Sequence, residues 1–315
     1  MINKNLVFLS YGKASEYLRA VFCILSLSAW LEDEITNLSI IIYTDQPDFF
    51  AGYLSDFEIE YFFLSEQALL EMQAGTNFIH RIKVSAIDLT FKRFPDQEVI
   101  FIDSDTFFTA DPVLLFNGLD TSASFMHKRE YNFKEGLELY HSFNQEQYPK
   151  AFIEYITGKS FSIGGQQTKF NTDDYSWNSG VLGLQKDFGR YMPDVLRMTD
   201  EFYANSHWFI SEQLAFSLVL QRTTRIRCAE DFVFHYWGKR QKILVDGLIA
   251  ALFKQHVNDL TKKGFMRSVT KKWQNLIVAD LILEQANHGF EKGDYLYAVK
   301  KRLHFFLKKL LGLQF

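Results

Sequence analysis

Val99-Ile100-Phe101-Ile102-Asp103-Ser104-Asp105 is a run of four apolar residues that ends on two carboxylates one residue apart. A short, bounded apolar run of this kind reads as a buried strand opening onto a loop. The same grammar repeats upstream. Leu6 to Leu9 ends at Ser10, Tyr11 and Gly12, and Leu38 to Tyr43 stops at Thr44 and Asp45 before Pro47. Ile59 to Leu64 reads as a third strand. Helical periodicity covers Glu16 to Leu31, Ser65 to Ala74 and Phe78 to Phe94, where Pro95 ends the run. Strands that alternate with helices predict an α/β fold with an open, mostly parallel central sheet. Ligands of such sheets lie outside the carboxyl ends of the strands. Tyr11, Asp45 and Asp103 all fall at such ends.

Past the carboxylates, a helix is expected to start around Asp111 and Pro112. From Lys128 to Asp174 the pattern is poor and polar, and it reads as a long excursion with one helix near Glu146 to Thr157. Val181 to Leu184 resumes as a strand, Pro193 to Asn205 and Phe209 to Leu220 as helices, and Val233 and Phe234 lead as a strand into His235. Everything from about Asp246 looks helical. The expected organisation is a catalytic domain over 1–245 and a helical C-terminal region over 246–315. A chain of 315 residues is long enough to bury a substantial core. Its formal net charge of -4 argues against a dedicated nucleic-acid binder. Cys23 and Cys228, each in an apolar stretch, are expected to be buried and reduced, which excludes a disulfide framework and a thiolate zinc site. The first residues lack the pattern of a secretory signal, and no apolar stretch is long enough to cross a bilayer; both point to the cytoplasm.

Two carboxylates at i and i+2 project to the same side while the chain is extended, so Asp103 and Asp105 can both reach one hard cation. A divalent ion there would neutralise a diphosphate and stabilise the charge that builds on it as a group departs. The plainer reading is a pair of solvated turn residues. His235-Tyr236-Trp237-Gly238-Lys239 forms a second constellation. Imidazole suits manganese better than magnesium, Gly238 lets the backbone approach a phosphate closely, and Lys239 supplies positive charge. Against this stands an ordinary hydrogen-bonded histidine at a strand end.

Taken together, Val99 to Thr106, Trp177-Asn178-Ser179-Gly180-Val181-Leu182, Ser211-Glu212-Gln213 and His235-Tyr236-Trp237-Gly238 resemble glycosyltransferase family eight and its relatives in order and spacing. The resemblance spans roughly Asn5 to Lys242. It implies a GT-A fold, here with a helical C-terminal extension, and transfer of a hexose from a nucleotide sugar, UDP-linked in the family, with retention of configuration. It implies manganese, or magnesium in its place, held by Asp103, Asp105 and His235. Gly238 matches the phosphate-facing glycine, and Ser104 and Ser179 fall among the donor-contacting positions. The family usually has a Lys six residues after the His, whereas this chain has Gln241 and then Lys242, so which of Lys239 and Lys242 touches phosphate is open. Arg81 and Lys83 lie on the helix where relatives place a basic residue against the donor phosphates. Tyr11 and Asp45 lie where relatives contact the nucleotide: a ring can stack on a base, and a carboxylate can accept from uracil N3–H. Asn178 precedes a strand, where its amide either orients the donor sugar or organises the turn, and by the resemblance Gln213 matches the position against the reacting carbon. An amide is a poor nucleophile, so the resemblance implies front-face transfer in which the departing phosphate helps deprotonate the acceptor. Glu212 is the more nucleophilic neighbour.

The acceptor implied is a saccharide of a bacterial cell-surface glycan or lipooligosaccharide. Two other classes share features of the pattern. Phosphatases of the haloacid dehalogenase type use the first Asp of an Asp-x-Asp as nucleophile, here Asp103, but their motif lies near the chain start and continues differently from Phe107. A nucleotidyltransferase would need an early Gly-rich basic loop, which the chain lacks. Tyr295 to Phe315 interleaves apolar residues with Lys300, Lys301, Arg302, Lys308 and Lys309. Such a helix either lies peripherally on the anionic inner face of a membrane, packs on the catalytic domain, or pairs in a dimer.

Overall fold

A computed structural model describes residues 4–31 and 38–312, with side chains as far as 307. Eleven strands occur among the described residues: β1 Lys4–Leu9, β2 Leu38–Thr44, β3 Ile59–Phe63, β4 Glu98–Ile102, β5 Thr106–Phe108, β6 Ala123–Asn132, β7 Phe161–Ile163, β8 Gln166–Thr168, β9 Tyr175–Leu184, β10 Arg225–Cys228 and β11 Val233–His235. Contacts divide the chain into two compact units. The first comprises Met1–Tyr17, Ile35–Ser104 and Val113–Glu230; the second comprises Leu18–Glu34, Asp105–Pro112 and Asp231–Phe315.

The first unit is built on a seven-stranded sheet in the order β10-β6-β9-β4-β1-β2-β3. β1 pairs in parallel with both β2 and β4, β2 with β3 and β10 with β6; only β9 runs antiparallel, against β4 and β6. The chain leaves β1 toward β2 and β3 and returns on its other side as β4. The gap beyond the carboxyl ends of β1 and β4 is therefore a topological switch point, where open α/β sheets place their ligands. Leu6, Val7, Phe8, Val99, Ile100 and Ile102 are fully buried, as unbroken apolar strands covered on both faces require. The core of this unit joins Val7, Ile41, Phe101 and Leu182 to Ile87 and Phe91 of the helix Arg81–Arg93 and to Leu214 and Leu218 of the helix Ser211–Thr223. Each large apolar side chain so buried contributes roughly 1.5–3 kcal/mol.

The second unit has the antiparallel pair β5·β11 and the helices Lys239–Gln255, Lys263–Glu291 and Tyr295–Gly312. The helix Ala14–Trp30 passes into it, where Phe22 stacks on Trp273 with ring centroids 4.6 Å apart and meets Phe107 edge-on at 5.6 Å. Arg19 holds Asp246 bidentately at 2.7 Å, and Trp30 donates to Thr270 at 3.0 Å.

Several expectations need correction. The excursion 128–174 is not loop with one helix. β6 runs to Asn132, and the helix Phe133–His141 follows at once, started by a reciprocal cap in which Asn132 accepts from the Glu135 amide while Glu135 accepts from that of Asn132. β7 and β8 add a hairpin. β9 starts at Tyr175, six residues before the apolar run, because its polar half pairs with the end of β6. β5 and β10 were too short to signal themselves, and the helix near Pro112 is only Val113–Phe116. The C-terminal helices begin at Lys239 rather than Asp246. Cys23 is buried, but Cys228, at the end of an edge strand, is exposed. Of the last expected helix, 313–315 lie outside the described residues, as do the side chains of Lys308 and Lys309.

Candidate active site

Within the first unit, the register between β4 and β9 sets Ile102 opposite Val181, and the Asp103 amide then donates to the Gly180 carbonyl at 2.9 Å. Asp103 thereby lands beside Asn178-Ser179-Gly180. Lys83, buried on the helix Arg81–Arg93, ties the two segments together. Its ammonium donates to Asp103 Oδ2 at 3.1 Å, to the Ser179 carbonyl at 2.6 Å and to Ser179 Oγ at 3.1 Å. Three acceptors satisfy all three ammonium hydrogens, as burial of so polar a group requires. Arg81, two residues away on the helix, instead holds Asp200 at 2.7 Å and the Met72 carbonyl at 2.5 Å. Ser104 donates to Glu16 at 2.8 Å.

The chain is not extended through both carboxylates, as expected, but turns at Ser104 and Asp105 before β5 begins. The geometry on the Asp105 side comes from the second unit. β11 pairs with β5 so that His235 stands opposite Thr106, and the Tyr236 amide donates to the Asp105 carbonyl at 3.0 Å. His235 Nε2 lies 3.2 Å from Asp105 Oδ1, and Lys242 Nζ lies 2.7 Å from Oδ2. Burial alone would push the Asp105 carboxyl up, but the imidazole and the ammonium outweigh it and hold the group well below the usual carboxylate range. Lys239 is exposed in the first turn of its helix, and the Gly238 amide donates to Gln241 Oε1 at 2.9 Å.

Behind Ser179 lies a polar network. Ser179 Oγ donates to Glu212 Oε1 at 3.2 Å, while Glu212 Oε2 is buried and has no partner among the described residues. Gln213 uses its whole amide: the carbonyl oxygen accepts from the Ser179 amide at 3.3 Å, and Nε2 donates to Glu130 and to Ser176 Oγ, both at 2.9 Å. Asn178 donates to the other oxygen of Glu130 at 3.2 Å and accepts from the Gly180 amide at 3.0 Å. Ser176 also donates to Glu130 at 3.2 Å. Glu130 was missed in the sequence because it sits in the Lys-Arg-Glu-Tyr stretch at the polar end of β6, where no pattern marks it.

Asp45 shapes the loop after β1. Its carboxylate accepts from the amide of Gly12, which has φ +89°, at 3.1 and 3.3 Å, and from the Tyr17 hydroxyl at 2.8 Å. An L side chain at Gly12 would be strained, so glycine is required there. Tyr11 packs on the core, and burial, helped by the charges of Glu16 and Asp45, pushes its phenol up to about 12.

No protein-family model and no curated protein matches the chain. Solved structures do. Mouse xyloside xylosyltransferase 1 in its apo form aligns at 14% identity and TM-score 0.46 over 72% of this chain and 85% of its own. The galactosyltransferase LgtC in complex with donor and acceptor sugar analogs aligns at 14% identity and TM-score 0.47, over 79% and 94% respectively. The glycosyltransferase GlyE of Streptococcus pneumoniae, apo form, aligns at 14% identity and TM-score 0.40 over 82% of this chain and 51% of its own.

Proposed function

We propose that the chain is a GT-A-type glycosyltransferase, similar to family eight, that moves a hexose from a nucleotide sugar, UDP-linked by that resemblance, to a saccharide or glycolipid of a bacterial cell surface. The observation that carries the reading is the meeting of Asp105 and His235, imposed by the β5·β11 pairing just after the strand at the switch point. Two carboxylates and an imidazole from Asp103, Asp105 and His235 make a donor set suited to Mn²⁺ or Mg²⁺. The ammonium groups beside the carboxylates mark the same demand for positive charge. When bound, the ion would neutralise the donor diphosphate and stabilise it as leaving group.

The remaining roles belong to the chain's own residues. Lys242, already beside Asp105, rather than exposed Lys239, faces the phosphates. Lys83 fixes Asp103 and Ser179, and Asp45 shapes the loop that presents Tyr11 to the base. Glu212 Oε2, buried without a partner, takes a hydroxyl of the donor sugar; an unmet carboxylate oxygen is otherwise costly. Asn178 and Gln213, held by Glu130, line the sugar's reacting side, which supports front-face transfer with retention. Residues 1–245 form the catalytic region and 246–315 the helical appendage.

Thermal unfolding with UDP and manganese tests the reading. A ligand at about 100 times its dissociation constant should add roughly 2.7 kcal/mol. Asp105→Ala should abolish both that shift and slow donor hydrolysis in a panel of nucleotide sugars. No stabilisation by any nucleoside diphosphate with metal, or release of inorganic phosphate from simple phosphomonoesters, would overturn it.

A further inference from the structure

The helix Tyr295–Gly312 carries its apolar side chains on the wrong face for a protein interior. It packs along the helix Lys263–Glu291 through Ala298, which is fully buried, and through half-buried Lys301 and Phe305. Gly289 pins this arrangement: a Cβ there would lie 2.9 Å from the Tyr297 ring and 3.1 Å from the Ala298 methyl. Lys301 and Arg302 reach back along the shared side, to Gln285 at 2.6 Å and Asn287 at 3.1 Å. At about 100° per residue, the face opposite Ala298 holds Leu296, Val299, Leu303 and Leu307. These are 85%, 48%, 62% and 61% exposed, with Phe306 at the margin at 55%. An amphipathic helix docked on its own protein turns such a stripe inward; here it faces solvent.

Charge decides what covers it. Residues 295–315 contain five of the chain's Lys and Arg and none of its Asp or Glu, so this segment carries a formal +5 while the rest of the chain carries -9. Lys300 borders the stripe, while Lys301 and Arg302 lie toward the side that packs on the helix Lys263–Glu291. Two copies seated stripe to stripe would bring two +5 segments together. A surface with anionic headgroups above an apolar layer matches both the stripe and its basic border.

We propose that the outer face of helix 295–312 docks on the surface of an anionic lipid bilayer, with Leu296, Val299, Leu303 and Leu307 in the acyl boundary and Lys300 at the headgroups, drawn there by the segment's formal +5 charge. The full chain, sedimented with vesicles, should pellet with phosphatidylcholine containing phosphatidylglycerol roughly tenfold more than with phosphatidylcholine alone, and less as salt is raised. Leu303→Glu combined with Leu307→Glu changes only exposed positions. It should leave the far-ultraviolet dichroism unchanged while losing vesicle binding. Absence of binding, equal binding to neutral vesicles, or binding that survives the double substitution would overturn the proposal. So would a dimer, seen by light scattering, that the substitution dissociates: the stripe would then belong to a second copy.

Discussion

Glu130 is a carboxylate whose partners are three neutral donors, Ser176, Asn178 and Gln213. Because it only accepts, it turns the N–H ends of both amides toward itself and their carbonyl oxygens toward the Ser179 and Gly180 amides. Glu130→Gln puts an amino group where an acceptor is needed. Hydrogen bonds to a charged group are worth roughly 1.5–3 kcal/mol. The substitution should therefore lower the melting temperature and, by releasing Asn178 and Gln213 from their fixed orientations, also lower kcat for donor hydrolysis by roughly 10- to 100-fold with the donor KM little changed. A loss confined to melting temperature would reduce Glu130 to a packing role. Buried Cys23 and exposed Cys228 offer a second check at this scale. One thiol should react promptly with a disulfide reagent in the native protein and both in denaturant, because burial pushes the Cys23 thiol up to about 12.

Among the elements, the antiparallel strand β9 does most to assemble the first unit's polar network. It lies between β4 and β6, carrying Ser179 to Lys83 and Asp103 on one side and Asn178 to Glu130 on the other. Its closeness to β6 depends on Gly183, where a Cβ would fall 2.2 Å from the Phe125 ring. Gly183→Ala forces that ring out of a packed core. Overpacking of this kind costs about 1–3 kcal/mol, which should appear as a lower urea midpoint with an unchanged slope. A variant as stable as the parent would mean the strands separate easily. The antiparallel pair β5·β11 has the corresponding role in the second unit. Three paired residues on each strand suffice to hold His235 against Asp105.

For the molecule as a whole, the phenols and the thiol set an alkaline limit. Burial raises the Cys23 thiol from an ordinary 9.0, and the Tyr11 and Tyr43 phenols from 10.0, each to about 12. The folded state then binds more protons than the unfolded chain between those values, so stability should hold up to about pH 9 and fall progressively toward pH 12. Urea midpoints across that range test this, and a flat profile would contradict the burial of these groups. Much of the site's raw material was legible in the chain. The apolar runs Leu6 to Leu9 and Val99 to Ile102, and the carboxylates and imidazole that follow strands, show in sequence because burial and periodicity are local properties. Which groups meet was legible only where the family resemblance supplied it, as for His235 with Asp105; Lys83 with Ser179, and Glu130 with two distant amides, were not. Those pairings depend on strand register and on hydrogen bonds between segments tens of residues apart or more, and they exist only once the sheet has closed.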